Sequence, residues 1–243
     1  VMLFAVAGLP GVLKLFREAR KGPFTIMAFE FFTDRCLARV KKHRAVDAPI
    51  APDSSHFVLL ETESADADAL DAWIAAQFES GLALDGTLAK DPHQAAALWE
   101  LREGISESLS ATGLPHKNDI SLPVAALEAF CAELDAVFDA QWPGVEICLF
   151  GHIGDGNLHV NVMKPDALTK EHFLARTPDA DKAMFAIVKR FGGSISAEHG
   201  IGLLKKPYLG YSREPAELAI LRQVKRALDP RGLMNPGKIL DGN

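Results

Sequence analysis

Gly151–Val162, GHIGDGNLHVNV, is read here as two short strands around an Asp-Gly turn. An Asp-Gly pair between alternating segments is a strong short-range hairpin signal. With Asp155 and Gly156 as the two loop residues, Gly154 faces Asn157, Ile153 faces Leu158 and His152 faces His159. Directly opposed residues share one face of a sheet with Cβ atoms about 5 Å apart. The spacing therefore predicts two imidazoles side by side, which is half of a metal site. Asn161 lies two residues beyond His159 and points the same way. Glu198 and His199, in SAEHGIG, offer a carboxylate and a third imidazole. Two histidines and one carboxylate make a ligand set for a first-row divalent cation, with positions left open for a substrate. Zinc, manganese and iron all fit it. Each of these residues alone has a plain structural reading, and the combination is what points to chemistry.

The chain has 243 residues, enough for one large domain or two small ones. Its 26 Lys and Arg against 32 Asp and Glu give a formal net charge of −6, with no long basic run. That argues against nucleic acid and against a polybasic membrane anchor. Cys36, Cys131 and Cys148 are widely spaced and odd in number, so they suggest neither a zinc pair nor a disulfide framework. A reducing compartment is expected, bacterial cytoplasm or mitochondrial matrix. No apolar stretch reaches the roughly 18 residues of a transmembrane helix. The apolar start VMLFAVAGLPGVLKLF lacks a basic leader and begins at Val1. The chain is expected to be a piece of a longer protein.

Along the chain, helical and extended patterns alternate. Helices are predicted over 10–19, 34–42, 65–80, 92–112, 124–141, 180–191 and 215–228. Strands are predicted over 24–32, 57–61, near 83, over 120–122, 145–150 and 158–163. AVDAPIAPDSS, 45–55, reads as a turn-rich loop. Some strand pairs are joined too tightly for a parallel crossover. The expected fold is α+β, a mostly antiparallel sheet with helices packed on one face, plus a C-terminal helical segment.

There is no Gly-x-Gly-x-x-Gly after a strand, no phosphate-binding Gly-x-x-x-x-Gly-Lys-Ser/Thr and no Gly-x-Ser-x-Gly elbow. Arg102, in LWELREGISESL, belongs to a helix with buried sides and could reach into a cleft. Lys117, in PHKNDISLP, enters a short extended segment. An arginine and a lysine together suit an anionic substrate, because the guanidinium grips a carboxylate with a two-pronged fork.

GHIGDGNLHVNV, followed by GSISAEHGIGLLKKPYL and ALDPRGLMNPGKIL, resembles the C-terminal half of the FAD-linked oxidases of the vanillyl-alcohol-oxidase superfamily. AFEFF, LWELREGISE and KNDISLPV extend the resemblance over most of the chain. The matching branch acts on D-2-hydroxyglutarate, D-lactate or glycolate. The resemblance implies a cap or substrate-binding domain over 1–205 and a C-terminal segment over 206–243 that returns toward the flavin. It puts the N-terminal FAD-binding domain outside these residues, so the fragment alone should be inactive.

The resemblance also implies roles. His152, His159 and Glu198 would hold the divalent metal, zinc first. His199 would be the base that removes the substrate hydroxyl proton while hydride leaves for the flavin. Arg102, Ser106, Lys117 and Asn161 would contact the substrate, and Asn235, in NPGK, the FAD. A D-2-hydroxy diacid such as D-2-hydroxyglutarate is the first expectation, with Lys117 on the distal carboxylate. Ser106 stands where that branch tends to have threonine, and His116 and Asn118 where aromatic residues are common. D-lactate or D-malate is therefore the alternative. An electron-transfer flavoprotein, a quinone or a cytochrome would take the electrons, and a homodimer is left open. A metal-dependent hydrolase built on the same two histidines and glutamate competes with this reading, as does a non-catalytic binding subunit.

Overall fold

A computed structural model describes residues 1–50, 53–63 and 66–241. Ala51, Pro52 and Ala65, which fall within the predicted loop and helix above, lie outside these residues. The order is β1 (Met2–Val6), α1 (Gly8–Ala19), β2 (Thr25–Thr33), α2 (Asp34–Arg44), β3 (His56–Glu63), α3 (Ala67–Glu79), β4 (Asp85–Leu88), α4 (Pro92–Glu103) and α5 (Ile105–Thr112). Then come β5 (Pro115–Ser121), α6 (Leu127–Gln141), β6 (Glu146–His152), β7 (Asn157–Met163), α7 (Lys170–Arg190) and α8 (Pro215–Leu228). Local chemistry marks several helix starts. Asp66 and Asp91 cap α3 and α4 through the backbone N–H three residues on. Glu214 and Glu217 form a reciprocal capping box on α8, with Pro215 at the first helical position.

The strands form one seven-stranded sheet in the order β4-β1-β3-β2-β6-β7-β5. Every pairing in it is antiparallel. The fold is α+β, as the sequence leads one to expect. β3 lies between β1 and β2, which makes the first four strands a split β-α-β arrangement.

The helices cover both faces, where a single covered face was expected. On one face Met2, Phe4, Phe31, Val58, Leu60, Val160 and Val162 pack with α1, α3, α6 and α7. On the other, Leu3, Phe32, Phe57, Leu59, Cys148 and Phe150 pack with α2, α4 and α5. The reason is visible in β1, whose five residues MLFAV are all buried. An unbroken apolar strand has no solvent side. The same continuity hid β1 from the sequence reading, because periodicity cannot tell a short apolar run from a buried helix segment.

Three other elements differ from expectation. The predicted long helix over 92–112 divides at Gly104 into α4 and α5. The extended segment predicted at 120–122 is the end of a longer strand, β5. α7 begins ten residues before the predicted start, capped by Thr169, and runs through Pro178.

The 151–162 stretch is a hairpin with a longer loop than expected. Ile153–Asp155 make a 3-10 turn closed by Gly156 at φ +72°. His152 therefore opposes Asn157, and Phe150 opposes His159. The register is displaced by two residues from the two-residue-loop pairing. Because side chains alternate with period two, His152 and His159 stay on one face, now as diagonal neighbours. Their ring centroids are 5.7 Å apart.

Gly156 is confined twice over. Its φ is left-handed, and a Cβ there would lie 1.9 Å from the Leu122 carbonyl oxygen. Gly192 has φ +69° with nothing within 4 Å of an added Cβ. Gly192→Ala should therefore cost only the conformational part, about 1 kcal/mol. Gly156→Ala should cost about 2–4 kcal/mol, because the backbone clash adds to it. Urea unfolding of the two variants should separate them; equal losses would remove the close approach at Leu122.

Candidate functional site

β6, β7 and β5 carry a polar corner on the face that α2, α4 and α5 cover elsewhere. Three cross-strand rows build it. Cys148, Asn161 and Lys117 form one, Phe150, His159 and Asp119 the next, and His152, Asn157 and Ser121 the third. β7 alternates strictly, Leu158, Val160 and Val162 entering the core and Asn157, His159 and Asn161 the corner. Although polar, these three residues are at most 9% exposed.

Glu30, on β2, opposes His152 across the β2–β6 pairing. It is 6% exposed and serves two partners. Its Oε1 accepts from His152 Nδ1 at 2.7 Å. Its Oε2 accepts from Arg102 Nε at 3.0 Å and lies 2.8 Å from Arg102 Nη2. Arg102, in the last turn of α4, is buried over the Phe150 ring, 4.7 Å from its centroid. Phe150 in turn lies against His159 at 4.8 Å. Among the described residues Glu30 is the hydrogen-bonding partner of Arg102, so the Nη1 side of the guanidinium stays available.

Asp119 organises the opposite side. It is fully buried, and its Oδ2 accepts from the backbone N–H groups of Ala197, Glu198 and His199 at 3.1, 2.9 and 2.8 Å. Three successive amides around one oxygen form an anion-binding nest, here filled by the protein's own carboxylate. Burial pushes the Asp119 carboxyl up, but the amides of His199 and Glu198 and the Lys205 ammonium outweigh it, and its pKa is lowered. The loop so held brings Glu198 Oε1 to 3.3 Å from His152 Nε2, where it also accepts from Asn157 Nδ2. The His199 ring sits 5.6 Å from His159 and is more than half exposed.

The histidines differ in charge preference. The hydrogen bond to Glu30 raises the His152 pKa, against burial. Burial drives His159 down to about 4, aided by the nearby Arg102 charge and against the pull of Asp119. His159 is thus neutral near pH 7, with a lone pair to offer.

His152, His159 and Glu198 present ligand atoms within 4.8 Å of one another. With Nδ1–H of His152 given to Glu30, its Nε2 lone pair faces a carboxylate oxygen at 3.3 Å. Two lone pairs at that separation call for a cation or a proton between them. Asp119 Oδ1 and Asn157 Oδ1, both in the corner, are buried without a hydrogen-bond partner. The donor set fits a first-row divalent cation. Asp119, His159 and His199 form a second, overlapping triplet.

The remaining sequence-derived residues are placed as follows. Lys117 Nζ donates to the Ser106 hydroxyl at 2.9 Å and to its carbonyl at 3.0 Å, and burial lowers the lysine pKa. Asn161 is on the site face, its amide donating to the Cys148 and His159 carbonyls. His116 and Asn118 point away, both bonded to Asp181 of α7. They belong to the packing of β5 on α7. Asn235 is exposed at φ +48°. Its segment is tied to the loop after His199 by Ile239 N–H to Gly202 O at 3.0 Å and Lys206 Nζ to Gly237 O at 2.9 Å.

Glu30, Asp119 and Asn157 were not singled out from the sequence. A lone charge inside AFEFF, the Lys-x-Asp alternation beside Lys117, and the Asn two residues before His159 are the signals that mark them.

Residues 1–239 match the model of the FAD linked oxidases, C-terminal domain. D-2-hydroxyglutarate dehydrogenase of Stutzerimonas stutzeri is 45% identical over 88% of this chain and 47% of its own length. The mitochondrial D-2-hydroxyglutarate dehydrogenase of Bos taurus is 38% identical over 97% of this chain and 43% of its own length. A putative mitochondrial D-lactate dehydrogenase of Schizosaccharomyces pombe is 34% identical over 98% of this chain and 47% of its own length. The chain thus spans about half the length of the curated relatives it matches. Among solved structures, 4-ethylphenol oxidase from Gulosibacter chungangensis has the same fold over 99% of this chain and 53% of its own, at TM-score 0.61 and 11% identity. The match over residues 1–239, together with relatives identical to it at more than a third of the aligned positions, shows that the chain belongs to the family of FAD linked oxidase C-terminal domains.

Proposed function

We propose that the chain forms the substrate-binding part of a FAD-dependent dehydrogenase that oxidises a D-2-hydroxy acid, D-2-hydroxyglutarate first, to the 2-oxo acid. The observation that carries this reading is the cluster of His152 and His159 on the sheet with Glu198 and His199 from the adjoining loop, beside two cationic side chains, Arg102 and Lys117. Phe150, beneath Arg102, and Lys117 are two strands and one row, two residues along the strand, apart. At ordinary strand spacings their backbone positions are about 12 Å apart. That separation suits a five-carbon diacid gripped at both ends.

In this reading the free Nη1 side of Arg102 binds the carboxylate next to the reacting carbon, and Lys117, steadied by Ser106, takes the distal one. Asn161, beside Lys117 in the same row, contacts the substrate. His199 removes the hydroxyl proton. Its Nδ1 side faces the buried Asp119 carboxylate, 3.9 Å from Oδ2, and Nε2 is the proposed base. His152, His159 and Glu198 would hold the divalent cation, zinc first, whose charge makes the hydroxyl proton easier to lose. The flavin, when bound, supplies the acceptor for the hydride. An electron-transfer flavoprotein or a quinone is the proposed onward acceptor.

The C-terminal segment, 206–241, is proposed to face the flavin-binding part of the protein, with Asn235 contacting the cofactor. α8 buries none of its residues. Ile220, Val224 and Leu228, spaced by four, are 59%, 49% and 74% exposed, and Leu204, Leu233 and Met234 add to the uncovered apolar surface. An apolar stripe of that size marks a contact surface.

Lys117→Ala should lower kcat/KM for D-2-hydroxyglutarate far more than for D-lactate. Losing one charge-assisted contact costs about 1.5–3 kcal/mol, or roughly 10- to 150-fold. Equal losses on the two substrates would remove the distal clamp.

His199→Ala should reduce turnover by about 10²–10⁴-fold while the protein keeps its bound cation by elemental analysis. Loss of the cation with the imidazole would make His199 a ligand and not the base.

A further inference from the structure

We propose that Glu30 is a positioning residue for both halves of this site: it fixes the tautomer of His152 and cancels the charge of Arg102 beside the cation-binding set. The inference rests on the functional reading above and adds a residue that touches neither substrate nor cation.

The geometry gives Glu30 two separate duties. A carboxylate only accepts hydrogen bonds, so the 2.7 Å contact makes His152 Nδ1 the donor. With Nδ1 donating to Glu30, Nε2 is the nitrogen left to give its lone pair to a cation shared with Glu198 Oε1. Carboxylates behind metal-binding imidazoles do this generally, and their loss costs about 10- to 100-fold in metal affinity. The other oxygen takes Arg102 Nε and Nη2. Arg102 is 8% exposed and lies over Phe150, which itself packs on His159. Without a counter-charge a buried guanidinium in that position would repel any cation held by the histidines.

An amide of the same size cannot serve both partners, because it has one accepting end. If the Gln oxygen faced Arg102, its NH₂ would face His152 Nδ1, and the ring proton would move to Nε2, removing the lone pair. If the amide were reversed, its NH₂ would face the N–H groups of Arg102. Either orientation also leaves the guanidinium charge uncompensated.

The test is a Co(II) titration of the full-length, flavin-loaded protein, with zinc competition, read by visible absorption of the bound cobalt. Wild type and Glu30→Gln are compared at equal flavin content and with thermal melts of the cation-free forms. Glu30→Gln is expected to bind Co(II) about 10- to 100-fold more weakly, with an altered cobalt spectrum and a raised KM for D-2-hydroxyglutarate. A purely structural role would lower the melting temperature and leave Co(II) affinity and spectrum as in wild type, and that result would overturn the proposal while the functional reading stands. If wild type itself binds no Co(II), the cation site falls and Glu30's role falls with it. Should Glu30→Gln not fold, Glu30→Asp carries the test. It keeps the charge but withdraws the carboxylate by one methylene, so weaker Co(II) binding supports the role and wild-type binding overturns it.

Discussion

β1, β3, β2, β6 and β7 bury apolar side chains on both faces of one sheet, and this constraint decides where polar chemistry can sit. A buried polar group costs free energy unless it is paired. Across most of the sheet the alternation of Met2, Phe4 and Val6 against Leu3 and Ala5 leaves no place for one. At the β6–β7–β5 corner the covering helices contribute Arg102 of α4 and Ser106 of α5. There the inward-facing positions are Asn157, His159, Asn161 and Asp119; Asn157 Nδ2 and Asp119 Oδ2 bond to the 196–199 loop and Asn161 to backbone, while Asp119 Oδ1 and Asn157 Oδ1 keep no hydrogen-bond partner. The site is where the core's second face ends, and its low exposure follows from the apolar rows beside it.

That setting makes two carboxylates do opposite work. Asp119 is buried whole and keeps its charge because three backbone N–H groups and the Lys205 ammonium surround it. Lys205 reaches it by donating to the Asp119 and Ile195 carbonyls, both at 2.7 Å. This bundle holds the backbone of the loop that carries Glu198 and His199. Glu30 fixes nothing in the backbone. It links two side chains from elements far apart in sequence, Arg102 on α4 and His152 on β6.

The sequence carried the antiparallel α+β class, most helix positions and the clustering of His152, His159, Glu198 and His199. The face assignment survived an incorrect loop length because a two-residue displacement preserves the alternation; a displacement of one would have sent His159 into the core. What stayed hidden has a common cause. Glu30 and His152 are 122 positions apart, and Asp119 and His199 are 80 apart. Periodicity reports which face a residue takes on its own element, and says nothing of which distant element comes to lie opposite. β1 was hidden for a different reason, since a strand buried on both faces shows no alternation of polarity at all.

The loop from 196 to 206 links these features. At its start Asp119 holds the amides of residues 197–199. At its end Gly202 and Lys206 bind the 237–241 segment, with the Lys206 ammonium 2.6 Å from Asp241. Between those anchorages Leu203 and Leu204 are 56% and 89% exposed, beside a C-terminal segment whose own apolar residues are uncovered. One short stretch therefore carries the Glu198 and His199 side chains and also presents apolar surface for contact. Leu204 lies five residues along the chain from His199, on the stretch that also carries Glu198.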